Sequence, residues 1–178
     1  MKVAPNNSQR SSESFAVAID VARRVGMPLL IAGIVQDQQY FDESVAPRVD
    51  DDHVRYLGPI TADRRPRLLG QAHALLHLVD FDEPFGLSVV EAMACGTPVI
   101  AFGRGSMPEL IDDGVTGMIV EDLDAAAAAV PLVGRLDRAT IRETAVRRFG
   151  RDRMVDAYVT VYEQTIKARD RRGLNPGP

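Results

Sequence analysis

Along this chain, short aliphatic runs alternate with longer stretches in which apolar positions recur every three to four residues. That is the pattern of strands joined by crossover helices around a parallel sheet. Residues 2–4 predict a short first strand. In residues 12–25, Phe15, Ala18, Ile19 and Ala22 fall on one helical face, with Ser11 or Ser12 placed to cap it. Leu29-Leu30-Ile31-Ala32-Gly33 predicts a buried strand closed by glycine, 40–47 a loose helix, 53–57 a strand, and 62–70 a helix entered after the Gly58-Pro59 break. Residues 74–79 form the next predicted strand and 87–95 a helix, ended by Gly96-Thr97-Pro98 because proline cannot continue it. A strand over 99–102, a short helix over 107–112 stopped at Gly114, a strand over 117–120 and helices over 123–133, 137–149 and 153–169 complete the series. Residues 1–172 therefore predict a single doubly wound α/β domain, followed by a disordered tail over 173–178. Such sheets bind ligands at the carboxyl ends of their strands.

Composition narrows the chemistry. The formal charge of −4 is not that of a nucleic-acid surface. The clusters Arg64, Arg65, Arg67, then Arg147, Arg148, then Arg169, Arg171, Arg172 read as solvated helix faces. With no apolar run approaching the ~20 residues of a membrane span and a lone cysteine, Cys95, the expectation is a cytoplasmic protein. The alanines at 125–129 are good helix formers and need no function. His73 and His77 fall on one face of a predicted strand, where they read as structural; no credible cluster of metal ligands is found, and no metal is expected.

The segment EPFGLSVVEAMACGTPVIA, residues 83–101, carries the candidate chemistry. Gly86 stands where a loop becomes a helix, and a helix start offers unpaired N–H groups and a positive dipole end to a phosphate. Glu83 precedes that turn, and Glu91 lies about five residues beyond it, roughly 7.5 Å along the axis. Carboxylates accept and do not donate, so the two suit paired sugar hydroxyls on either side of a diphosphate. Taken singly, each has a plain alternative: a surface charge, a turn glycine, an exposed helix carboxylate.

Together these residues resemble the group 1 nucleotide-sugar glycosyltransferases, which carry two glutamates in an E-x-F-G-x-x-x-x-E pattern. GSMPELIDDGVTGMIVEDLDA, residues 105–125, resembles a second block of that family, and RFGRDRMVDAYVTVYEQTI its closing helix. The resemblance implies a Rossmann-like fold, specifically the C-terminal, donor-binding half of a GT-B arrangement. It implies that Glu91 binds the ribose hydroxyls, that Glu83 contacts the transferred sugar as the catalytic carboxylate, and that the backbone of Phe85, Gly86 and Leu87 faces sugar and phosphate. Gly58 and Ile60 would lie beside the base. It further implies transfer of a hexose with retention from a nucleoside diphosphate sugar, no cofactor, and an acceptor-binding N-terminal domain that this chain lacks, without which it is inactive.

One part departs from the family. Its G-R-x-x-x-x-K-G loop, whose cations neutralise the diphosphate, aligns so that Asn7 and Ser14 replace the glycines, Ser8 the arginine and Glu13 the lysine. Arg10 is the only positive charge there. Charged hydrogen bonds contribute about 1.5–3 kcal/mol each, so losing two weakens donor binding by two to four orders of magnitude. The alternative expectation is thus a degenerate, non-catalytic binding or assembly module. An ordinary dinucleotide-binding domain is disfavoured, because no G-x-G-x-x-G follows the first strand.

Overall fold

The structure, a computed structural model, describes the backbone of residues 7–171 and the side chains of residues 15–169. The expected strand at 2–4 and the tail at 173–178 lie outside the described residues. Helix α1 spans Asn7–Val25 and strand β1 Leu29–Ile31. Helix α2, Gln38–Tyr40, is capped by Asp37 and widens into a π turn at Phe41–Val45, then tightens to a 3-10 turn at Ala46–Arg48. Strand β2 is Val54–Tyr56, helix α3 Arg65–Gln71, strand β3 Leu75–His77, helix α4 Leu87–Ala94 and strand β4 Val99–Phe102. The short helix α5, Met107–Leu110, strand β5, Gly117–Val120, and helices α6, Leu123–Val133, α7, Arg138–Phe149, and α8, Arg151–Arg171, follow.

Every strand pairing is parallel, as strands separated by crossover helices require. Among the described residues they form two sheets, β1-β2 and β3-β4-β5. Strand β4 is central in the second, with Ile100 level with Leu76 and Met118. Its Val99, Ile100 and Ala101 are fully buried, the continuous apolar run expected of a strand covered on both faces. Because side chains alternate, Val99 and Ala101 pack with Val89, Met93, Met107 and Ile141 of α4, α5 and α7. Ile100 points the other way, to Val21, Val130 and Val133 of α1 and α6. Three layers result, which is the doubly wound arrangement.

Helix α1 departs from expectation at its start. It begins at Asn7, so the segment expected as a phosphate-binding loop, with a cap at Ser11 or Ser12, has helical backbone. Ala18, Ile19 and Ala22 are buried as the periodicity predicts, with Val21 between them, whereas Phe15 is half exposed. Ile19 packs with Ile31 and Val54 of the smaller sheet and with Val45 of the π turn, and Val21 with Ile100 and Val120 of the larger sheet and with Leu78 just beyond β3. Asp122 and Asp137 cap α6 and α7 through their carboxylates. Helix α8 stands apart: its described side chains are all exposed, with Met154, Val155, Tyr158, Val159, Val161, Tyr162 and Ile166 on one broad arc. No helix of the described residues is long and apolar enough to cross a membrane.

Candidate functional site

The carboxyl ends of the strands carry the residues singled out above. Strand β3 ends at His77, and the chain loops through 78–86 before α4 begins. Gly86 caps α4 with φ 82° and ψ 56°, left-handed backbone that a side chain disfavours. A Cβ there would also stand 2.6 Å from Met107 Cε and 3.2 Å from Leu110 Cδ1. Glycine supplies no side-chain cap, and only the Val89 and Val90 amides turn back to the Gly86 carbonyl. Among the described residues the Leu87 and Ser88 N–H groups have no hydrogen-bond partner, and they stand at the positive end of the helix dipole.

The loop before α4 is pinned by the loop after β4. Ser106 donates from its N–H and its hydroxyl to the Glu83 carbonyl, at 2.9 and 3.0 Å, and the hydroxyl also reaches the Phe85 carbonyl at 2.9 Å. The Gly105 N–H donates to Asp82 at 3.2 Å, and Arg104 pairs with Asp80 at 2.7 Å. The carboxylates of Asp80 and Asp82 thus have separate partners, while Glu83 is held through its backbone carbonyl. Glu83 itself is half-buried, and Phe85 is exposed beside it.

His77 lies beneath this loop. Its Nε2 is buried with no hydrogen-bond partner among the described residues. Burial holds the imidazole below its ordinary pKa, and the Glu83 carboxylate offsets part of that effect. His73 is not on the strand, contrary to expectation. It precedes β3 and its Nε2 makes a 2.9 Å hydrogen bond with the Val130 carbonyl, so the two histidines do not share a strand face.

A cleft of about 1070 Å³ opens between the two sheets. Its floor is apolar, and its polar lining includes Arg65, Ser88 and Glu91, with Ile60 and Leu87 nearby. Ile60, Leu87 and Glu91 are therefore brought together, while Glu83, Phe85 and Gly58 stand outside the lining. Gly58, with φ 68°, accepts the Gly33 N–H at 3.0 Å and so ties the ends of β1 and β2. Arg10 lies on α1, and its side chain is outside the described residues.

Two arginines correct the reading of solvated faces. Arg65 Nη1 contacts Glu91 Oε1 at 2.7 Å, and Arg148 donates to Asp112 at 2.8 Å while stacking on Phe149. Arg65, Ser88 and the Arg104-Gly105-Ser106 clamp were not singled out from the sequence as site residues. Their partners lie 21 to 26 positions away where a hydrogen bond is made, and no local periodicity reports such a contact.

This arrangement is an uncapped helix start at the carboxyl rim of a doubly wound parallel sheet, the place where α/β domains commonly bind anions. The glycosyl transferases group 1 family matches residues 12–134, and the chain belongs to that family. It is similar to the D-inositol 3-phosphate glycosyltransferase of Salinispora arenicola, 37% identical over 124 residues that make up 66% of this chain and 28% of that one. The protein of the same name from Mycolicibacterium smegmatis is 31% identical over 167 residues, 88% of this chain and 38% of that one. Among solved structures, AviGT4, a glycosyltransferase involved in avilamycin A biosynthesis, superposes with a TM-score of 0.73 at 28% identity. The match covers 85% of this chain and 48% of that one. Sucrose-phosphate synthase from Thermosynechococcus elongatus gives 0.73 at 26% identity, covering 89% and 44%. The fold is that of a C-terminal-like portion of a GT-B glycosyltransferase, and the chain spans less than half the length of these relatives.

Proposed function

We propose that this chain holds the nucleoside diphosphate sugar for a retaining hexosyl transfer, and that transfer requires an acceptor-binding half. The observation that carries this reading is the α4 start, where Gly86 leaves the Leu87 and Ser88 amides without a cap beside a cleft lined by Glu91. In the transfer, the bond from the anomeric carbon to the diphosphate oxygen breaks, negative charge collects on the diphosphate, the acceptor hydroxyl oxygen bonds to that carbon, and the hydroxyl proton passes to the departing diphosphate oxygen. Fixed N–H dipoles at a helix start stabilise that charge without reorganising. Glu83 takes hydroxyls of the sugar, Glu91 those of the ribose, and the Phe85-Gly86-Leu87 backbone faces the sugar and the phosphates. With Ser8 and Glu13 where the family carries cations, the helix start and Arg10 bear the diphosphate alone, and the affinity is millimolar.

The acceptor half supplies the second wall that brings donor and acceptor into reacting geometry. One observation supports it: α8 presents a broad apolar arc that nothing covers among the described residues. The test is an NMR titration with millimolar uridine, adenosine and guanosine diphosphates. Amide shifts concentrated in residues 83–91 are expected with at least one of them; no shift there with any overturns the reading.

A further inference from the structure

The contact between Arg65 and Glu91 has no adequate explanation in stability. The two side chains remain 43% and 41% exposed, and ion pairs this open contribute about 0–1 kcal/mol. Ordering two long side chains also costs rotamer freedom. What the contact does is fix a carboxylate. Arg65 leaves the first residue of α3, where Pro66 sets the helix start, and reaches across to the middle of α4. Its guanidinium takes Oε1 at 2.7 Å, and Oε2 accepts no hydrogen bond among the described residues. Both side chains line the cleft.

We propose that Arg65 is a positioning residue: it clamps Glu91 by one oxygen so that the other takes a ribose hydroxyl, and it thereby sets a preference for ribonucleotides over deoxyribonucleotides. This rests on the reading of the cleft as a nucleotide site. A free glutamate swings among rotamers, and each ribose contact then carries the cost of ordering it. A clamped one meets the hydroxyl in a geometry already set. The guanidinium also cancels the glutamate charge, which otherwise repels the neighbouring diphosphate. Lysine supplies the second effect without the planar fork that supplies the first.

The test compares the ribose, 2′-deoxy and 3′-deoxy forms of uridine, adenosine and guanosine diphosphate by NMR titration of the full chain. The wild type should prefer a ribose form by about tenfold or more over at least one deoxy form, the effect of one charge-assisted hydrogen bond. In Arg65→Ala that preference should fall below about threefold, with overall affinity also reduced. Arg65→Lys should recover overall affinity and leave the preference weak. Glu91→Gln should lose the preference too, and adding Arg65→Ala to it should change the preference no further, because the two act as one unit. Thermal melting reports folding of each variant, and Arg65→Lys and Glu91→Gln carry the test if Arg65→Ala does not fold. A wild type without a ribose preference, or an Arg65 variant that keeps it in full, overturns this proposal while leaving the nucleotide site standing. Failure of all nine ligands to bind the wild type overturns both.

Discussion

Gly105 is the joint between the two loops of the site, and replacing it with alanine tests that joint directly. Its φ of 53° is left-handed, and a Cβ would stand 2.4 and 2.5 Å from the Glu83 carbonyl oxygen and amide nitrogen and 2.8 Å from the Asp82 carbonyl carbon. These are backbone atoms, so no side chain can swing aside; the loops must part. The left-handed conformation alone costs about 1–2 kcal/mol for a residue with a Cβ. Parting the loops forfeits the Gly105-to-Asp82 bond and the two from Ser106 to Glu83, about 0.5–1.5 kcal/mol each. Gly105→Ala should therefore lose about 3–6 kcal/mol, a large share of the ~5–15 kcal/mol that holds a typical domain together. Urea unfolding measures the loss, and hydrogen exchange at the Ser106 amide should accelerate. Ser106→Ala keeps the backbone bond and should lose about 1–2 kcal/mol. A Gly105→Ala protein within 1 kcal/mol of wild type, with Ser106 protection intact, refutes the account.

Two further outcomes follow from residues beside this joint. Gly86→Ala should destabilise by about 2–5 kcal/mol, from left-handed backbone and from the push on fully buried Met107. Because Met107→Leu removes the atom a Cβ would strike, the penalty should shrink in that background; an unchanged penalty in chemical denaturation would refute the crowding. His77 has a folded pKa below its unfolded value, so the unfolded chain binds the extra proton first. Its contribution to stability is present above pH ~6.5 and falls as the pH drops below that value. In urea midpoints between pH 7.5 and 5, His77→Phe should lose less stability on acidification than wild type, and parallel curves would refute the assignment.

The elements of the fold were legible because each rests on local information. A short continuous apolar run marks Val99 to Phe102 as a strand, and the Gly96-Thr97-Pro98 stop ends α4 within a residue of expectation. The start of α1 was not legible, because Ser11 and Ser12 are good cap residues and point to a start there, whereas the helical backbone begins at Asn7. The site was legible only in its linear part, Glu83 to Glu91. The Ser106 clamp and the Arg65–Glu91 contact join different loops and helices, and their geometry comes from chain crossings that residue spacing does not encode. His73 reads from the sequence as a strand residue, yet the strand begins only at Leu75.

Helix α1 is anchored in two cores at once, through Ile19 on one side and Val21 on the other, only two positions apart. The two sheets make no backbone pairing with each other among the described residues, so this helix acts as a rivet between them. Neither sheet can come loose without tearing side chains from the other's interior. The two cores are therefore expected to unfold together, and the cleft between the sheets is bounded by a helix packed into both.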